Sequence, residues 1–345
     1  MVFMKVLVTG SNGYIGTVLM PLLLKEGINA RGIDADLYAG CTYGMSFPEF
    51  SFIRKDIRDI EVADLGGYEA VIHLAALSND PLGDLNPTLT FEINHKASVR
   101  LANLAKEAGV RRFLFSSSCS TYGASGDVLL DENSAFSPVT PYGVTKTLVE
   151  KDVGALSDHS FSPTFLRNAT AYGISPRMRF DLVINNLVAW ALASGIVYLK
   201  SDGTPWRPVV HVEDISRAFL AILRAPRDVV HNQAFNIGAN GENYQILDLA
   251  RIVERTVPGC RIEFAKDAGS DNRCYKVDFG KFYTRFPDFK PKWDANSGAE
   301  ELYESYKKYG IRQEEFEGPK FKRIDHIKNL LASGLLDETL RWTSR

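Results

Sequence analysis

This sequence contains few cysteines and carries little net charge. The 345 residues include four cysteines, and no two of them form a Cys-x-x-Cys pair. This spacing argues against a disulfide scaffold and against a cysteine zinc site, and it favours a reducing compartment. The formal net charge is −2, so no large basic surface for nucleic acid is expected. An anionic ligand would therefore have to be held by a few local arginines.

Long apolar runs are also missing. No stretch approaches the roughly 18 apolar residues of a membrane-spanning helix, and the least polar candidate, 182–193, is interrupted by Asn185 and Asn186. The first residues run directly into a strand pattern, without the basic-then-apolar stretch that is typical of a signal peptide. We therefore expect a cytoplasmic protein that contacts neither membrane nor nucleic acid and holds no metal.

A glycine-rich turn follows the first predicted strand. The pattern of Lys5–Thr9 predicts a buried strand, and Gly10, Gly13 and Gly16 lead from it into an apolar helical pattern over 18–23. This arrangement places a pyrophosphate at a helix N-terminus. The first glycine permits the tight turn, the second lets the backbone approach the phosphates, and the third lets the helix pack close to the strand.

Asp34 lies about twenty residues beyond this turn, at the end of a second predicted strand over 30–33. A carboxylate in this position accepts hydrogen bonds from the adenosine ribose and repels the 2′-phosphate of NADP, so NAD is favoured. Further predicted strands at 51–54, 70–74 and 112–115 alternate with helical patterns. This alternation is typical of βαβ units and predicts a parallel sheet.

A tyrosine and a lysine stand four residues apart in a later predicted helix. Tyr142 and Lys146 therefore share one helix face. A lysine one turn from a tyrosine favours the phenolate and can also reach a cofactor ribose. A serine from the preceding serine-rich strand end, such as Ser118, can bind the same substrate oxygen. Together these groups indicate a proton relay to an alcohol or carbonyl beside a nicotinamide.

Taken in order, these motifs resemble the extended short-chain dehydrogenases/reductases, specifically the NAD-dependent nucleotide-sugar epimerases and dehydratases. The resemblance covers about residues 4 to 310 and includes Asp56-Ile57, His73-Leu-Ala-Ala76, Asn94, Ser118-x-x-x-Tyr122-Gly123 and Tyr142-x-x-x-Lys146. It implies an α/β fold with a Rossmann-type doubly wound parallel sheet and a smaller C-terminal substrate-binding α/β domain. We expect the NAD-binding domain over 1–167 with a returning strand and helix from 208–240, the substrate domain over 168–207 and 241–315, and an extension over 316–345.

The resemblance also implies the functional residues. Ser118, Tyr142 and Lys146 would be catalytic. The residues expected to touch NAD are Gly10, Asn12, Gly13, Tyr14, Ile15, Gly16, Asp34, Asp56, Ile57, Leu74, Ala75, Ala76, Asn94, Tyr142 and Lys146. A nucleotide-diphosphate sugar would contact Ser78, Ser118, Tyr142, Asn168, Thr170, Asn186, Leu187, Arg207 and Arg273. Within that set, the two arginines would hold the diphosphate, helped by either Asn168 or Thr170. His211 and Asp214 are expected to be structural. The family usually forms homodimers through two helices of each subunit, one of them carrying Tyr142.

The resemblance implies a first step that these enzymes share, most often oxidation of the sugar C4 hydroxyl to a ketone. The reaction that follows this 4-keto intermediate stays open at this point. A 4-epimerase returns the hydride to the other face of the sugar and needs no further acid or base. Relatives that carry out 4,6-dehydration place Asp-Glu after the Ser/Thr, where this chain has Cys119-Ser120. A 4-epimerase is therefore favoured. The alternatives are a dehydratase in which Cys119 is the acid or base, a 4-dehydrogenase or 4-ketoreductase, and, remotely, a non-catalytic NAD-sensing module. The extension would either pack on the fold or form a subunit contact.

Overall fold

The computed structural model describes residues 4–78, 86–269 and 274–343. The strands are β1 (Lys5–Thr9), β2 (Asn29–Asp34), β3 (Phe52–Arg54), β4 (Ala70–His73), β5 (Arg112–Ser118), β6 (Ala124–Leu130), β7 (Ser162–Asn168), β8 (Thr170–Tyr172), β9 (Ile196–Ser201), β10 (Trp206–His211), β11 (Gln233–Ile237), β12 (Asn243–Gln245), β13 (Arg261–Gly269) and β14 (Cys274–Val277).

The helices are α1 (Gly16–Lys25), α2 (Val62–Leu65), α3 (Pro87–Thr90), α4 (Ala97–Glu107), α5 (Pro141–Gly154), α6 (Val183–Ser194), α7 (Val212–Arg224), α8 (Arg227–Val230), α9 (Ile246–Thr256), α10 (Gly280–Arg285), α11 (Ala295–Tyr309), α12 (Gln313–Phe316) and α13 (Arg323–Ala332). A π-helical stretch, Phe91–Lys96, joins α3 to α4.

Seven parallel strands form the central sheet in the order β11-β7-β5-β4-β1-β2-β3. The chain adds strands outward in one direction from β1 to β3, and then in the other direction from β4 to β11. A ligand crevice forms where this direction changes, outside the carboxyl ends of β1 and β4. Both strands are buried along most of their length, because helices cover both faces of the sheet. The predicted Rossmann-type sheet is confirmed.

Helices α1 and α7 pack together on one face of this sheet, whereas α4 and α5 cover the other. The apolar side chains of α7, such as Ile215 and Phe219, lie in the same buried cluster as Val6 and Val8 of β1. Strand β11 pairs with β7. The segment 208–240 therefore returns to the N-terminal sheet by means of α7 and β11.

A second set of elements lies beside the carboxyl ends of the central strands. It contains the small sheets β12-β10-β8, β13-β9 and β14-β6. Helices α6, α9 and α11 pack around one buried cluster that includes Leu187, Leu249 and Leu302. This arrangement leaves a crevice between the two parts of the molecule, with the ends of β5 and β7 as its floor.

The C-terminal residues 316–343, called the tail below, pack along both parts. Phe316 and Phe321 are buried in the core of the second part, and Ile327 and Leu336 are buried with the helices on the far face of the central sheet. The Trp342 Nε1 donates to the Ala35 carbonyl at 2.7 Å. Of the two expectations for the extension, the structure therefore shows packing on the fold. Within the described part of the chain, every helix is too short or too polar to cross a bilayer.

Candidate active site

The glycine turn is closed so tightly that side chains are excluded. Gly10 has φ +73°, and a Cβ there would lie 2.6 Å from the Ala75 backbone nitrogen. A Cβ on Gly16 would lie 2.4 Å from the Gly10 carbonyl oxygen. Both approaches are shorter than real Cβ contacts allow, so α1 begins directly against the end of β1. Its positive dipole end faces the crevice, as a pyrophosphate site requires.

Asp34 is fixed at the edge of this turn by two backbone groups. Its carboxylate accepts from the Asn12 nitrogen at 2.9 Å and from the Asp36 nitrogen at 2.7 Å. Burial raises the pKa of Asp34, although both hydrogen bonds oppose that effect. The side chain is therefore held in one position at the end of β2, where it can accept from ribose hydroxyls.

Most of the predicted NAD residues surround one cavity. The lining includes Gly10, Asn12, Gly13, Tyr14, Ile15, Gly16, Asp34, Asp56, Ile57, Leu74, Ala75 and Ala76. Tyr142 and Lys146 line the adjoining cavity, which also shares Ile15, Leu74 and Ala76. The glycine cradle and the ribose carboxylate thus border one continuous crevice, and the residues present fit NAD.

Asn94 is the exception among these predictions. Its amide accepts from the Leu77 nitrogen at 2.8 Å and donates to the Leu77 carbonyl at 3.0 Å. These two bonds leave one N–H of the amide and one lone pair of its oxygen for a ligand, so direct contact with NAD stays a prediction. Asn94, which lies in the π-helical stretch, also fixes the loop after β4 that forms the cavity wall.

Three candidate catalytic side chains border the second cavity, which has a volume of about 750 Å³. Ser118 ends β5, whereas Tyr142 and Lys146 lie in the first turns of α5. Helix α5 begins sharply because the Thr140 side chain accepts from the Gly143 nitrogen at 3.2 Å and Pro141 occupies the first helical position. Proline is well suited there because its fixed φ matches the helix and its missing N–H is not needed.

Lys146 is buried beneath the tyrosine. Its Nζ donates to the Ser116 carbonyl at 2.6 Å and lies 5.5 Å from the centre of the Tyr142 ring. Burial lowers the pKa of Lys146 to about 7, and the nearby Glu150 only partly opposes this. The lysine is therefore poised between its charged and neutral forms close to neutral pH.

The serine predicted to bind the reacting oxygen is oriented by its own turn. The Ser118 Oγ accepts from the Ser120 nitrogen at 3.1 Å, so its hydroxyl proton can still be donated to a ligand. The Ser120 Oγ also lines the cavity, and it is a buried oxygen without a hydrogen-bond partner among the described residues.

Cys119 faces away from this cavity. The side chain is fully buried in the apolar core, and its thiol donates to the Arg167 carbonyl at 3.2 Å. Burial raises the pKa of Cys119 well above its usual range. The structure therefore argues against the predicted acid or base role: Ser118 and Ser120 on either side of it line the cavity, whereas Cys119 points to the opposite side.

The described residues that are predicted to bind substrate line the cavity that the three candidate catalytic side chains border. Ser78, Ser118, Tyr142, Asn168, Thr170, Asn186, Leu187 and Arg207 all line it, whereas the predicted Arg273 lies outside the described residues. The Asn168 amide nitrogen donates to the Ser116 Oγ at 3.1 Å, and its oxygen has no partner among the described residues. The free atom of Asn168 is an acceptor, so a donor role towards a diphosphate would fall to Thr170 or Arg207.

Comparison with known proteins agrees with this geometry. The model of the NAD dependent epimerase/dehydratase family matches residues 6–238. The chain belongs to this family. A UDP-glucose 4-epimerase from Lactobacillus helveticus is 31% identical over 272 residues, which cover 72% of this chain and 82% of the relative. The enzyme is NAD-dependent, as the sequence predicted.

Solved structures of similar proteins share most of this architecture. A UDP-glucuronic acid 4-epimerase from Bacillus cereus, in complex with UDP-glucuronic acid and NAD, has a TM-score of 0.74 and 27% identity, and the match covers 88% of this enzyme and 99% of that chain. TunA, an NAD-dependent NDP-hexosamine 5,6-dehydratase of tunicamycin biosynthesis, has a TM-score of 0.78 at 21% identity, with 88% and 98% covered. The second likeness shows the fold alone.

The sequence motifs did not indicate several residues of the two cavities. Arg179 lines both cavities and is held by Asp181 through two hydrogen bonds of 3.1 and 2.7 Å. The sequence feature that could have indicated Arg179 is a pair of arginines after the loop that follows β8. From the tail, Phe316, Glu317 and Lys322 line the substrate cavity. No local motif marks these residues, because the tail reaches the cavity only through tertiary packing.

Glu317 joins the tail to Asn186, one of the predicted substrate residues. Its carboxylate accepts from the Asn186 amide at 3.2 Å and from the Trp190 indole at 3.0 Å, and it pairs with Lys322 at 2.9 Å. Burial would raise the pKa of Glu317, but Lys322, Lys200 and Asn186 outweigh this effect and lower it to about 2. Glu317 is therefore a charged anchor at neutral pH.

His211 and Asp214 have the structural roles expected of them. The His211 Nε2 lies 2.9 Å from a Glu301 carboxylate oxygen. The Asp214 carboxylate accepts from the backbone nitrogens of Lys292 and Trp293, both at 3.0 Å. These bonds tie the start of α7 to α11 and to the segment before it.

A buried ion pair supports the floor of the active site. Arg167 on β7 binds Glu150 on α5, with its Nη2 2.7 Å from the carboxylate, and its Nη1 donates to the Tyr122 hydroxyl at 2.9 Å. The Ser117 Oγ donates to the same carboxylate at 2.5 Å. The ion pair therefore ties α5 to β7, and the Ser117 bond ties α5 to β5, the strand that carries Ser118.

Replacing one partner of this pair is expected to destabilise the fold. In Arg167→Met, Glu150 keeps a buried charge without its partner, so the free energy of unfolding should fall by about 3–5 kcal/mol. Urea unfolding followed by circular dichroism measures this change. The double variant Arg167→Met/Glu150→Leu should recover part of this loss of stability, since both buried charges are then removed. Equal losses in the single and double variants would contradict this account.

Proposed function

We propose that this enzyme is a nucleotide-sugar 4-epimerase that acts through a 4-keto intermediate. Support comes from the juxtaposition of Ser118, Tyr142 and Lys146 with the NAD crevice in a cavity large enough for a nucleotide sugar. Cavities of about 300–1,000 Å³ are typical of small-molecule sites. NAD, when bound, supplies the hydride acceptor for oxidation of the sugar alcohol and returns the hydride afterwards.

Each catalytic residue has a distinct role in this proposal. Tyr142 takes the proton of the C4 hydroxyl and later gives it back. Ser118 donates to the same oxygen, since its own acceptor lone pair is used by the Ser120 nitrogen. Lys146 lies beneath the Tyr142 ring, where its positive form favours the phenolate. The carbonyl of Ser116 fixes the direction of the lysine.

We favour epimerisation over dehydration because the carboxylates that line the substrate cavity are already bound by other side chains. Among the described residues, Asp181 and Glu317 are the acidic side chains that line the substrate cavity. Asp181 is bound by Arg179, and Glu317 is bound by Lys322 and by two N–H donors. Dehydration needs a further acid and base beside the sugar. With these carboxylates engaged and Cys119 in the core, the return of hydride to the opposite sugar face is the reaction that needs the fewest additional groups.

Two buried arginines fit a diphosphate. Arg207 on β10 lines the cavity, and its Nη1 donates to the Trp206 carbonyl at 2.8 Å. Arg179 lies at the junction of the two cavities. The planar fork of arginine binds pairs of phosphate oxygens well. We assign the substrate diphosphate to Arg207 and Thr170, with Arg179 at the side that faces the cofactor.

The relatives suggest the nucleotide. The Lactobacillus helveticus enzyme is named for UDP-glucose, and the Bacillus cereus structure holds UDP-glucuronic acid. We therefore propose a UDP-hexose as the substrate. A 4-dehydrogenase or 4-ketoreductase remains the alternative, because the same three residues serve both reactions. The NAD-sensing module is disfavoured, since such modules typically lack the tyrosine and lysine retained here.

The decisive experiment is product analysis with a panel of UDP-, dTDP-, GDP- and CDP-sugars. Epimerisation should leave the mass unchanged and alter the proton coupling at C4 in the NMR spectrum. A product lighter by water would indicate dehydration. A product lighter by two hydrogens, with reduced cofactor in solution, would indicate the dehydrogenase. Either of these results would contradict the proposal, and the UDP-sugars are expected to react fastest.

We also propose that the enzyme is a cytoplasmic homodimer. The described cysteines are all free thiols, which is usual in a reducing compartment. The resemblance implies that the subunits pair through two helices each, one of them α5, which carries Tyr142. Light scattering coupled to size-exclusion chromatography is expected to give twice the mass of the chain.

A further inference from the structure

The tail contacts the end of the dinucleotide crevice that lies beyond β2. His326 Nε2 donates to the Leu37 carbonyl at 3.0 Å, and the Arg58 guanidinium donates to the Thr339 carbonyl at 2.8 Å. With the Trp342 bond to Ala35, these contacts fix the tail against the loops after β2 and β3. Both loops border the site of the adenosine half in this type of fold.

Arg323, the first residue of α13, is the charged side chain that the tail contributes to this crevice. It lines the dinucleotide cavity and is only 4% exposed. Its guanidinium carbon lies 3.6 Å from the centre of the Tyr38 ring. Its Nε has no hydrogen-bond partner among the described residues. A buried N–H without a partner costs about 1–3 kcal/mol, so it needs an explanation.

Two acidic groups lie near Arg323. Asp34 and Asp36 line the same cavity, and Asp34 is close enough to feel the positive charge of Arg323. Arg177 also lies in this neighbourhood, but it is engaged by Asp36 at 3.6 Å and by the carbonyls of Asn12 and Ala39. Arg323 therefore has an unused donor and lines the same cavity as Asp34, the carboxylate that is placed to bind the adenosine ribose.

We propose that Arg323 is an NAD-binding residue that donates from Nε to an oxygen of the adenosine ribose. The ribose then lies between an acceptor, Asp34, and a donor, Arg323. The Tyr38 ring supports the guanidinium, and the tail contacts hold α13 in place. By this route the tail becomes part of the cofactor site and retains NAD during turnover.

The test is direct binding of NAD and of ADP-ribose to the cofactor-stripped protein, measured by isothermal titration calorimetry. Arg323→Met keeps most of the packing but removes every donor. The variant is expected to weaken the binding of NAD and of ADP-ribose by the same factor, about tenfold. The factor is the same because ADP-ribose contains the whole adenosine half of NAD. No sugar nucleotide is needed, so the result does not depend on the proposed reaction.

Two further variants make the test specific. Lys328→Met changes an exposed lysine on the same helix and should leave both affinities unchanged. Arg323→Lys keeps the charge but lacks the Nε donor, and it should lose most of the same affinity. If Arg323→Lys binds like the parent protein, the Nε assignment is wrong. The same conclusion follows if folded Arg323→Met binds ADP-ribose within twofold of the parent. Thermal melts of the cofactor-stripped proteins identify any variant that fails to fold. If Arg323→Met does not fold, the affinities of Arg323→Lys decide whether the proposal holds.

Discussion

Tyr142→Phe should abolish reduction of the bound cofactor when substrate is added, with turnover lowered by at least about 10³-fold. The phenol is the group placed to exchange a proton with the sugar hydroxyl, and no neighbouring residue can replace it geometrically. The Ser118 hydroxyl is oriented by the Ser120 nitrogen, and the Lys146 ammonium is directed at the Ser116 carbonyl. Absorbance at the wavelength of reduced nicotinamide, under single-turnover conditions, measures the first step directly.

A matched control separates loss of the hydroxyl from disturbance of packing. Tyr68→Phe removes the same group from a half-buried tyrosine beside the helix-covered core, so its turnover should equal that of the parent. Tyr142→Phe should still bind NAD and nucleotide sugar, since the ring remains. Cofactor reduction at more than about a tenth of the parent rate would remove Tyr142 from the proposed mechanism.

Lys146→Met is expected to inactivate the enzyme and at the same time stabilise the cofactor-free fold. The pKa of Lys146 falls from 10.5 to about 7 on burial. Each tenfold change in proton affinity corresponds to about 1.4 kcal/mol. Burying the charged form of Lys146 on folding therefore costs roughly 5 kcal/mol. Methionine removes that cost but also removes the hydrogen bond to the Ser116 carbonyl. A net gain of about 2–4 kcal/mol in the free energy of unfolding is therefore expected near pH 6.

The pH dependence of this gain has a definite sign. Between about pH 7 and 10.5 the unfolded chain binds a proton at Lys146 that the folded protein does not, so the stability of the parent rises with pH across this window. The advantage of Lys146→Met should therefore be largest below pH 7 and shrink towards pH 10. Urea unfolding at several pH values measures this trend. Lys151→Met, an exposed site on the same helix, should show no such trend. A pH-independent difference between Lys146→Met and the parent would contradict the buried-cation account.

Much of the cofactor half was predictable because it depends on local constraints. The Gly10 and Gly16 positions are dictated by steric contacts over a few residues, and Asp34 follows from the length of one βα unit. Tyr142 and Lys146 share a face by helix periodicity alone. Strand β5 extends to Ser118, three residues beyond the predicted strand, because it pairs along its whole length with β7. That pairing is a long-range contact and leaves no signal in the strand itself.

Cys119 shows where local patterns mislead. Motif position suggested that its thiol could face a ligand, but the thiol is buried and donates to the Arg167 carbonyl. The direction in which a side chain leaves a strand end depends on what packs against it. This information lies in distant parts of the chain.

Residue types at short, regular spacings are enough to identify the family and the cofactor, and they predict the catalytic trio. Tertiary packing is needed to see which carboxylates of the substrate cavity are engaged, and that the thiol at position 119 is part of the core. Tertiary packing also places the tail, about 300 residues from the glycine turn, against both cavities. Only folding brings Arg323 to the dinucleotide crevice and Glu317 to the substrate cavity, because these contacts arise from the burial of apolar side chains such as Phe316 and Ile327 and not from a local motif.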